Sequence, residues 1–266
     1  MNHLPQGLAE FVAHAGWEGA DIDPLPGDAS FRRYFRLTLA GSGTAMLMHA
    51  PPPHEDPAPF LHVAHWLNAH GMRGPAILAE DAAQGWVLTE DFGNDRMRDW
   101  LDLNPADERA AYEAAVEALA ALHRLPPGPF PAYDMAVYLR EAGLLTEWYG
   151  PAQGLAVDAD AYVAAWEEAL APMLSRQNPG VTVLRDYHAE NIMLLGGKAT
   201  APQGLIDFQD ALVGHPAYDL VSLLQDARRD VSPDLERAML ERYLAATGAP
   251  DTFAADYALL GAQRNA

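Results

Sequence analysis

The sequence is short of several things that common protein classes need. It has no cysteine, which excludes a disulfide framework and thiol chemistry. It has one lysine, Lys198, and 17 basic residues against 37 acidic ones, so its formal charge is −20. Such a charge argues against a surface that binds nucleic acid or an anionic membrane. No stretch approaches the roughly 20 apolar residues of a membrane span, and the N-terminus lacks the basic and apolar blocks of a signal peptide, so we expect a cytoplasmic protein.

The composition predicts a globular protein. Half of the 266 residues are hydrophobic. A chain of this length buries a substantial core, either as one large domain or as two lobes that share a cleft.

The most informative stretch covers residues 181–210. Residues 181–185 and 192–195 are short apolar runs that predict two strands, with a tight loop between them. A polar turn follows, and residues 204–208 predict a third strand that returns beside the loop. The loop is therefore the expected place for chemistry.

Three side chains of this stretch have the types that phosphoryl transfer requires. Asp186 in the loop can orient an attacking hydroxyl, and Asn191 and Asp207 can offer hard oxygen atoms to Mg²⁺. An Asp followed five residues later by Asn is common by chance. The flanking strands make the combination specific, and we expect the three residues to converge.

These motifs resemble the aminoglycoside phosphotransferase and choline-kinase-like group, and most closely the bacterial anomeric kinases of N-acetylmuramate and N-acetylglucosamine. The general match consists of Asp186, His188 and Asn191, then Ile206-Asp207-Phe208, then residues 214–220 (GHPAYDL). The narrower match consists of residues 27–36 (GDASFRRYFR), 90–93 (EDFG), 185–188 (RDYH) and 207–211 (DFQDA).

The resemblance implies an α+β, protein-kinase-like, two-lobed fold. Residues 1–93 would form a small antiparallel-sheet N-lobe and residues 94–266 a mainly helical C-lobe. The implied reaction uses ATP and Mg²⁺ to phosphorylate the anomeric hydroxyl of an amino sugar, in cell-wall recycling. Arg185, His188 and Asp219 are implied as structural support of the site. We expect a monomer.

The nucleotide site is predicted from the first 93 residues. Residues 29–39 and 44–50 predict a hairpin after a Pro-rich connection at residues 21–27. The strand at 44–50 lacks the lysine that kinases use to hold ATP phosphates, and the helix predicted after it, at roughly residues 58–69, lacks the partner glutamate. The residues expected to bind ATP are therefore Arg32 or Arg33 as the substitute cation, Ser30 in the entry loop, and Glu90 and Phe92 in the connector that the family uses as its hinge.

The acceptor site is predicted from helices at residues 135–149 and 159–174. Glu147 and Trp148 suit a sugar, because an aromatic face packs on the ring and a carboxylate binds hydroxyls. The alternative is that Trp148 and its neighbour Tyr149 are core residues. Asp210, shortly after Asp207, is a further candidate for contact with the acceptor.

Other interpretations stay open. The acidic surface would suit a cationic acceptor, so an aminoglycoside or another small alcohol is an alternative substrate. The missing strand lysine, helix glutamate and C-terminal segment leave a nucleotide-binding pseudokinase as another. His49 and Leu184 are further departures from the family pattern. A partner-binding module with fortuitous motifs is a third. The end at Ala266 suggests a truncated or short member.

Overall fold

The computed structural model describes residues 4–26 and 31–265, and this part of the chain divides into two compact units. The first unit comprises the residues up to Asp95 together with Gly204–Gln209. The second comprises Arg96–Gln203 and the residues from Asp210 onward. The chain thus returns to the first unit for one short segment, which contains Asp207.

A five-stranded antiparallel sheet dominates the first unit. The elements of this unit are helix α1 (Leu8–His14), strands β1 (Asp21–Pro24), β2 (Arg33–Leu39) and β3 (Gly43–His49), helix α2 (Ala58–Ala69), and strands β4 (Ile77–Asp81) and β5 (Trp86–Glu90). The strand order is β1-β2-β3-β5-β4. The predicted hairpin of β2 and β3 and the predicted helix α2 are confirmed.

Strand β1 shows that the expectation of a simple connection at residues 21–27 was wrong. Its residues pair antiparallel with β2, from Asp21 opposite Thr38 to Pro24 opposite Phe35. A proline is tolerated here because β1 is an edge strand and Pro24 is its last residue.

Alternating side chains give the sheet two packed faces. Phe35 and Leu37 of β2 are fully buried and pack with Leu8 of α1. On the opposite face Met48 of β3 packs with Leu61 of α2. Full burial of one such side chain stabilises the fold by about 1.5–3 kcal/mol, so both helices are held by apolar contact with the sheet.

The second unit is mainly helical. Its helices are α3 (Met97–Leu103), α4 (Glu108–His123), α5 (Met135–Ala142), α6 (Gly150–Ala152), α7 (Ala159–Arg176), α8 (Ala217–Leu224), α9 (Pro233–Thr247) and α10 (Phe253–Arg264). Its strands are β6 (Val181–Val183), β7 (Ile192–Leu194) and β9 (Leu212–Gly214), while β8 (Gln203–Leu205) leads back into the first unit. Strand β6 pairs antiparallel with β9. Across residues 4–26 and 31–265, no helix combines the length and apolarity needed to cross a bilayer.

Helix α4 packs one apolar face into the core of this unit. Tyr112, Val116, Leu119 and Leu122 are all essentially buried, as their helical spacing predicts. The helix is therefore held by tertiary burial rather than by its Ala-rich propensity alone.

Three other helices begin at capping side chains. Asp134, Asp158 and Ser232 each accept a hydrogen bond from the backbone N–H three residues further on, at the start of α5, α7 and α9. Each such cap is worth about 1 kcal/mol. Helix α9 ends at Gly248, whose φ of 65° suits glycine.

The helix predicted over residues 135–149 is interrupted. Helix α5 ends at Ala142, and a π-helical turn occupies Leu145–Tyr149 before α6 begins. Gly143 follows α5, and the Thr146 hydroxyl donates to the Gly143 carbonyl at 2.9 Å. Glycine and a backbone-bonding threonine both weaken a continuous α-helix here.

Candidate active site

The loop between β6 and β7 is folded by short-range hydrogen bonds. The backbone N–H of Asp186 donates to the Leu184 carbonyl at 2.9 Å, and that of Asn191 donates to the His188 carbonyl at 2.9 Å. The Asn191 side-chain amide donates to the Asp186 carbonyl at 3.0 Å. The structure therefore brings Asp186 and Asn191 together within the second unit.

The Asp186 carboxylate is accessible, with 39% of its side chain exposed. Its neighbours Tyr187 and His188 are buried and anchor the loop, and the Tyr187 hydroxyl donates to the Ala115 carbonyl of α4 at 2.8 Å. An exposed carboxylate on an anchored loop can accept a hydrogen bond, or a proton, from a bound hydroxyl.

Asp219 of α8 supports the backbone just before Asp186. It is fully buried, and its carboxylate accepts the N–H groups of Leu184 at 2.7 Å and Arg185 at 2.8 Å. Burial raises the pKa of Asp219 to about 7, whereas the two amide donors favour the ionised form. Arg185 has a φ of 71°, an uncommon conformation for a non-glycine residue, and the double hydrogen bond holds it there.

The Arg185 side chain is anchored separately. Its guanidinium forms an ion pair with Glu141 of α5. Glu141 also accepts hydrogen bonds from Tyr133 and, at 3.4 Å, from Tyr218. Burial alone would lower the pKa of Arg185, but the surrounding negative charges raise it, Glu141 most and Asp210 least. Glu141 was not singled out from the sequence.

His188 is a buried residue of the same loop. Its Nε2 lies 3.4 Å from the side-chain amide nitrogen of Asn191. Burial is the main cause that lowers the pKa of His188 below its ordinary value, so its imidazole is neutral near pH 7. A neutral ring can pack in the loop without adding a charge beside Asp186.

Asp207 lies in the first unit, on the short returning segment. It is exposed, has a φ of 58°, and accepts a hydrogen bond from the Gln209 amide at 2.9 Å. Phe208 is buried and stacks on Phe60 of α2, with 5.1 Å between ring centroids. The aromatic contact anchors the segment and leaves Asp207 at the surface of its unit.

The donor chemistry of Asn191 and Asp207 suits Mg²⁺. The Asn191 amide nitrogen donates to the loop, so its oxygen is the atom it can offer to a cation. A carboxylate and an amide oxygen are hard ligands, and Mg²⁺ usually binds proteins through few such groups and completes its shell with phosphates and water. Within residues 4–26 and 31–265, no three His, Asp or Glu side chains form a metal-binding group.

The arginines predicted to meet phosphates are both engaged within the first unit. Arg32 pairs with Glu55 at 3.0 Å, and Glu55 also accepts the Phe31 N–H at 3.1 Å. The Arg33 guanidinium lies over the Phe35 ring, 5.1 Å from its centroid. Ser30, the other residue predicted from this hairpin, lies outside the described residues.

The connector after β5 is held by two arginines. Arg73 pairs with Glu90 at 2.7 Å and lies over the Phe92 ring, 5.2 Å from its centroid. The hydrogen bond from Arg73 is the main cause that lowers the pKa of Glu90. Arg36 pairs with Asp91 at 2.7 Å and donates to the Gly93 carbonyl at 3.0 Å.

Arg36 was not singled out from the sequence, although it is the last residue of the matched stretch 27–36 and lies on the polar side of its strand. Arg73 fixes Glu90 and Phe92, and Arg36 fixes the residues beside them. The connector therefore presents a defined backbone.

The residues predicted to bind the acceptor lie at the surface. Glu147 and Trp148 belong to the π-helical turn, and 68% of Trp148 and 57% of Tyr149 is exposed. The alternative that these aromatics are core residues is therefore wrong. A π-helical turn often marks a functional position.

Arg264 of α10 is a further residue beside the loop. Its guanidinium lies 3.6 Å from the Asp186 carboxylate. The sequence offered no sign of this contact, because the two residues are far apart along the chain and share no motif.

Comparison with known proteins identifies the family. A model described as the phosphotransferase enzyme family matches residues 21–257. The chain belongs to this family. The family assignment makes it a phosphotransferase and agrees with the motif around Asp186.

Two relatives carry the same name, N-acetylmuramate/N-acetylglucosamine kinase. The protein of Caulobacter vibrioides is 35% identical, over 96% of this chain and 81% of its own length. The protein of Pseudomonas aeruginosa is 38% identical, over 90% of this chain and 71% of its own length.

Comparison with solved structures establishes the fold. A Streptomyces rimosus aminoglycoside phosphotransferase in complex with ADP and streptomycin is 20% identical, with a TM-score of 0.64 over 99% of this chain and all of that one. A Plasmodium vivax ethanolamine kinase is 13% identical, with a TM-score of 0.65 over 92% of this chain and 73% of that one. The predicted α+β, protein-kinase-like fold is confirmed.

Proposed function

We propose that this phosphotransferase is an ATP- and Mg²⁺-dependent kinase that phosphorylates the anomeric hydroxyl of N-acetylmuramate or N-acetylglucosamine. The observation that carries the proposal is the Asp186 loop, where an exposed carboxylate is held beside Asn191 by a buried scaffold. The kinase names of relatives that match over 90% or more of the chain support the amino-sugar acceptor. The enzyme would act in the cytoplasm, and a monomer remains our prediction.

Asp186 performs the central step of the proposed reaction. Its carboxylate accepts the proton of the acceptor hydroxyl while that oxygen forms a bond to the γ-phosphorus of ATP. The bond from the γ-phosphorus to the oxygen bridging it to the β-phosphorus breaks, and ADP leaves. The Asn191 oxygen and the Asp207 carboxylate would hold Mg²⁺, which when bound neutralises phosphate charge.

The nucleotide would bind along the first unit. The connector from Glu90 to Phe92 would present backbone groups to adenine, because Arg73 and Arg36 fix its conformation. Arg32 or Arg33 would provide the cation for the phosphates. Binding of ADP by a structural neighbour agrees with this assignment.

The acceptor would contact the exposed turn of the second unit. Trp148 offers an accessible aromatic face and Glu147 an accessible carboxylate, a combination that suits a sugar ring and its hydroxyls. Asp210 would add a second acidic contact. Because Glu147, Asp210 and the net charge of −20 would also suit a cation, an aminoglycoside is the second candidate acceptor.

Product analysis tests the acceptor. ADP formation is measured with N-acetylmuramate, N-acetylglucosamine and a panel of aminoglycosides, and ³¹P NMR then locates the phosphate. We expect turnover of the N-acetylated sugars, with phosphorus coupled to the anomeric proton. Phosphate on another carbon, or turnover of aminoglycosides alone, would contradict the proposed acceptor.

The variant Asp186→Asn tests the mechanism with the same assay. Removal of a general base costs roughly 10²–10⁴-fold in rate, so we expect turnover to fall by that factor while nucleotide binding, measured by calorimetry, is kept. Asp251→Asn at an exposed turn is the matched control. Equal loss of turnover and nucleotide binding would show that Asp186 has a different role.

A further inference from the structure

Arg264 lies in the last turn of α10 and directs its guanidinium toward Asp186. One of its terminal nitrogens is 3.6 Å from Asp186 Oδ1. Only 20% of the Arg264 side chain is exposed, against 39% of Asp186. The cation is thus the more enclosed of the two partners.

The guanidinium is held on its other sides by α8. It donates to the Ser222 hydroxyl at 2.9 Å and to the Tyr218 hydroxyl at 3.4 Å, and it lies over the Tyr218 ring at 5.4 Å from the centroid. Ser222 and Tyr218 are themselves buried. The position of Arg264 is therefore fixed before any substrate binds, which is the condition for positioning another group.

The same helix α8 carries Asp219, which holds the loop backbone through Leu184 and Arg185. Side chains of α8 thus hold both the backbone just before Asp186 and the arginine beside the Asp186 carboxylate. Arg264 also opposes the rise in the pKa of Asp219 that burial causes. The Arg264 guanidinium thus acts electrostatically on the carboxylates of both Asp186 and Asp219.

We infer that Arg264 is a positioning residue that orients the Asp186 carboxylate toward the acceptor hydroxyl. The inference rests on the proposed role of Asp186. Arg264 makes its contribution through Asp186 rather than by touching the acceptor.

The variant Arg264→Gln removes the charge, and Arg264→Lys keeps it. We expect Arg264→Gln to lower kcat by about 10- to 100-fold, a range typical of supporting residues, with KM for ATP unchanged. Arg264→Lys should recover part of the rate. The control Arg237→Gln changes an exposed arginine of α9 and should match the wild type.

Thermal unfolding separates this role from a structural one. Arg264→Gln could unfold at a lower temperature and yet have the kcat of the wild type when assayed well below that temperature. Arg264 would then only stabilise the packing of α8 against α10. A higher KM for ATP with unchanged kcat would make it a nucleotide contact. Either result would overturn the inference.

A crystallographic comparison tests the inference without turnover. In the wild type the Asp186 carboxylate should occupy one rotamer beside Arg264, and in Arg264→Gln it should spread over several. An unchanged single rotamer would refute the positioning role. The kinetic comparison uses any acceptor that the wild type phosphorylates, so failure of the amino-sugar assignment is seen in the wild type and is distinct from failure of this inference.

Discussion

The backbone conformation of Arg185, just before Asp186, shows what the loop between β6 and β7 requires of a single residue. Arg185 has a φ of 71°, and holding a non-glycine residue in this region costs on the order of 1–3 kcal/mol. Two N–H groups donated to Asp219 and the ion pair with Glu141 offset that cost. The strained residue therefore stays in place because the buried Asp219 acts on its backbone and the partly buried Glu141 acts on its side chain.

His123, at the end of α4, makes the folded state less stable in acid, because it takes up a proton more readily in the unfolded chain. Its Nε2 is buried, and its Nδ1 lies 2.6 Å from the Tyr243 hydroxyl. Burial lowers the pKa of His123 to about 3, well below the value of about 6.5 in an unfolded chain. Between these values the unfolded state binds more protons, so stability is present above pH 6.5 and is lost as the pH falls toward 3.

We therefore predict that His123→Gln weakens the acid sensitivity of folding. Each proton taken up only by the unfolded state contributes about 1.4 kcal/mol per pH unit. Urea unfolding from pH 7 to pH 5 should show a smaller loss of free energy in the variant than in the wild type. His65→Gln, at an exposed position, is the control, and parallel curves for His123→Gln and wild type would disprove the prediction.

Sequence reasoning identified the residues of the site that are neighbours along the chain or belong to a family motif, as Asp219 does. Asp186 and Asn191 are close in number, and the structure places them in one loop. Glu141 and Arg264 reach the same loop from α5 and α10. Such long-range ion pairs have no local pattern, so only the fold reveals them.

Among the elements, those with strong periodicity were predicted best. Helix α2 has the predicted bounds of residues 58–69. Helices α3 and α9 and strand β9 were not predicted. Strand β9 is only three residues long, and it exists because β6 pairs with it, which is a tertiary effect that a local pattern does not contain.

A prediction about the packing of helix α4 concerns Leu119. Leu119 is fully buried, and truncation of a buried leucine costs about 2–5 kcal/mol because a cavity remains. Leu119→Ala should lower the free energy of unfolding by that amount in urea titrations. Leu103→Ala is the control, because 83% of Leu103 is exposed and surface changes usually stay within about 0.5 kcal/mol. Equal effects of the two changes would contradict the packing assigned to α4.

At the scale of the whole molecule, each of the two units is formed by more than one stretch of the chain. Asn191 belongs to the second unit, whereas Asp207 belongs to the first because Gly204–Gln209 returns there. The motif Ile206-Asp207-Phe208 identified the residue, and the stacking of Phe208 on Phe60 supplies the physical reason for the return. The sequence predicted the helical and sheet-rich parts of the fold, but not that a short segment crosses from one to the other.

The proposed Mg²⁺ ligands give the last prediction, because a ligand that binds only the folded state raises its stability. At about one hundred times its Kd, a ligand stabilises by about 2.7 kcal/mol. Unfolding temperatures are compared for ATP with EDTA and for ATP with Mg²⁺, in the wild type and in Asp207→Asn. We expect the variant to keep the shift caused by ATP alone and to lose the additional shift caused by Mg²⁺, because it removes the only charge among the two proposed ligands. Asp251→Asn should behave as the wild type, whereas retention of the full Mg²⁺-dependent shift in Asp207→Asn would remove Asp207 from the metal site.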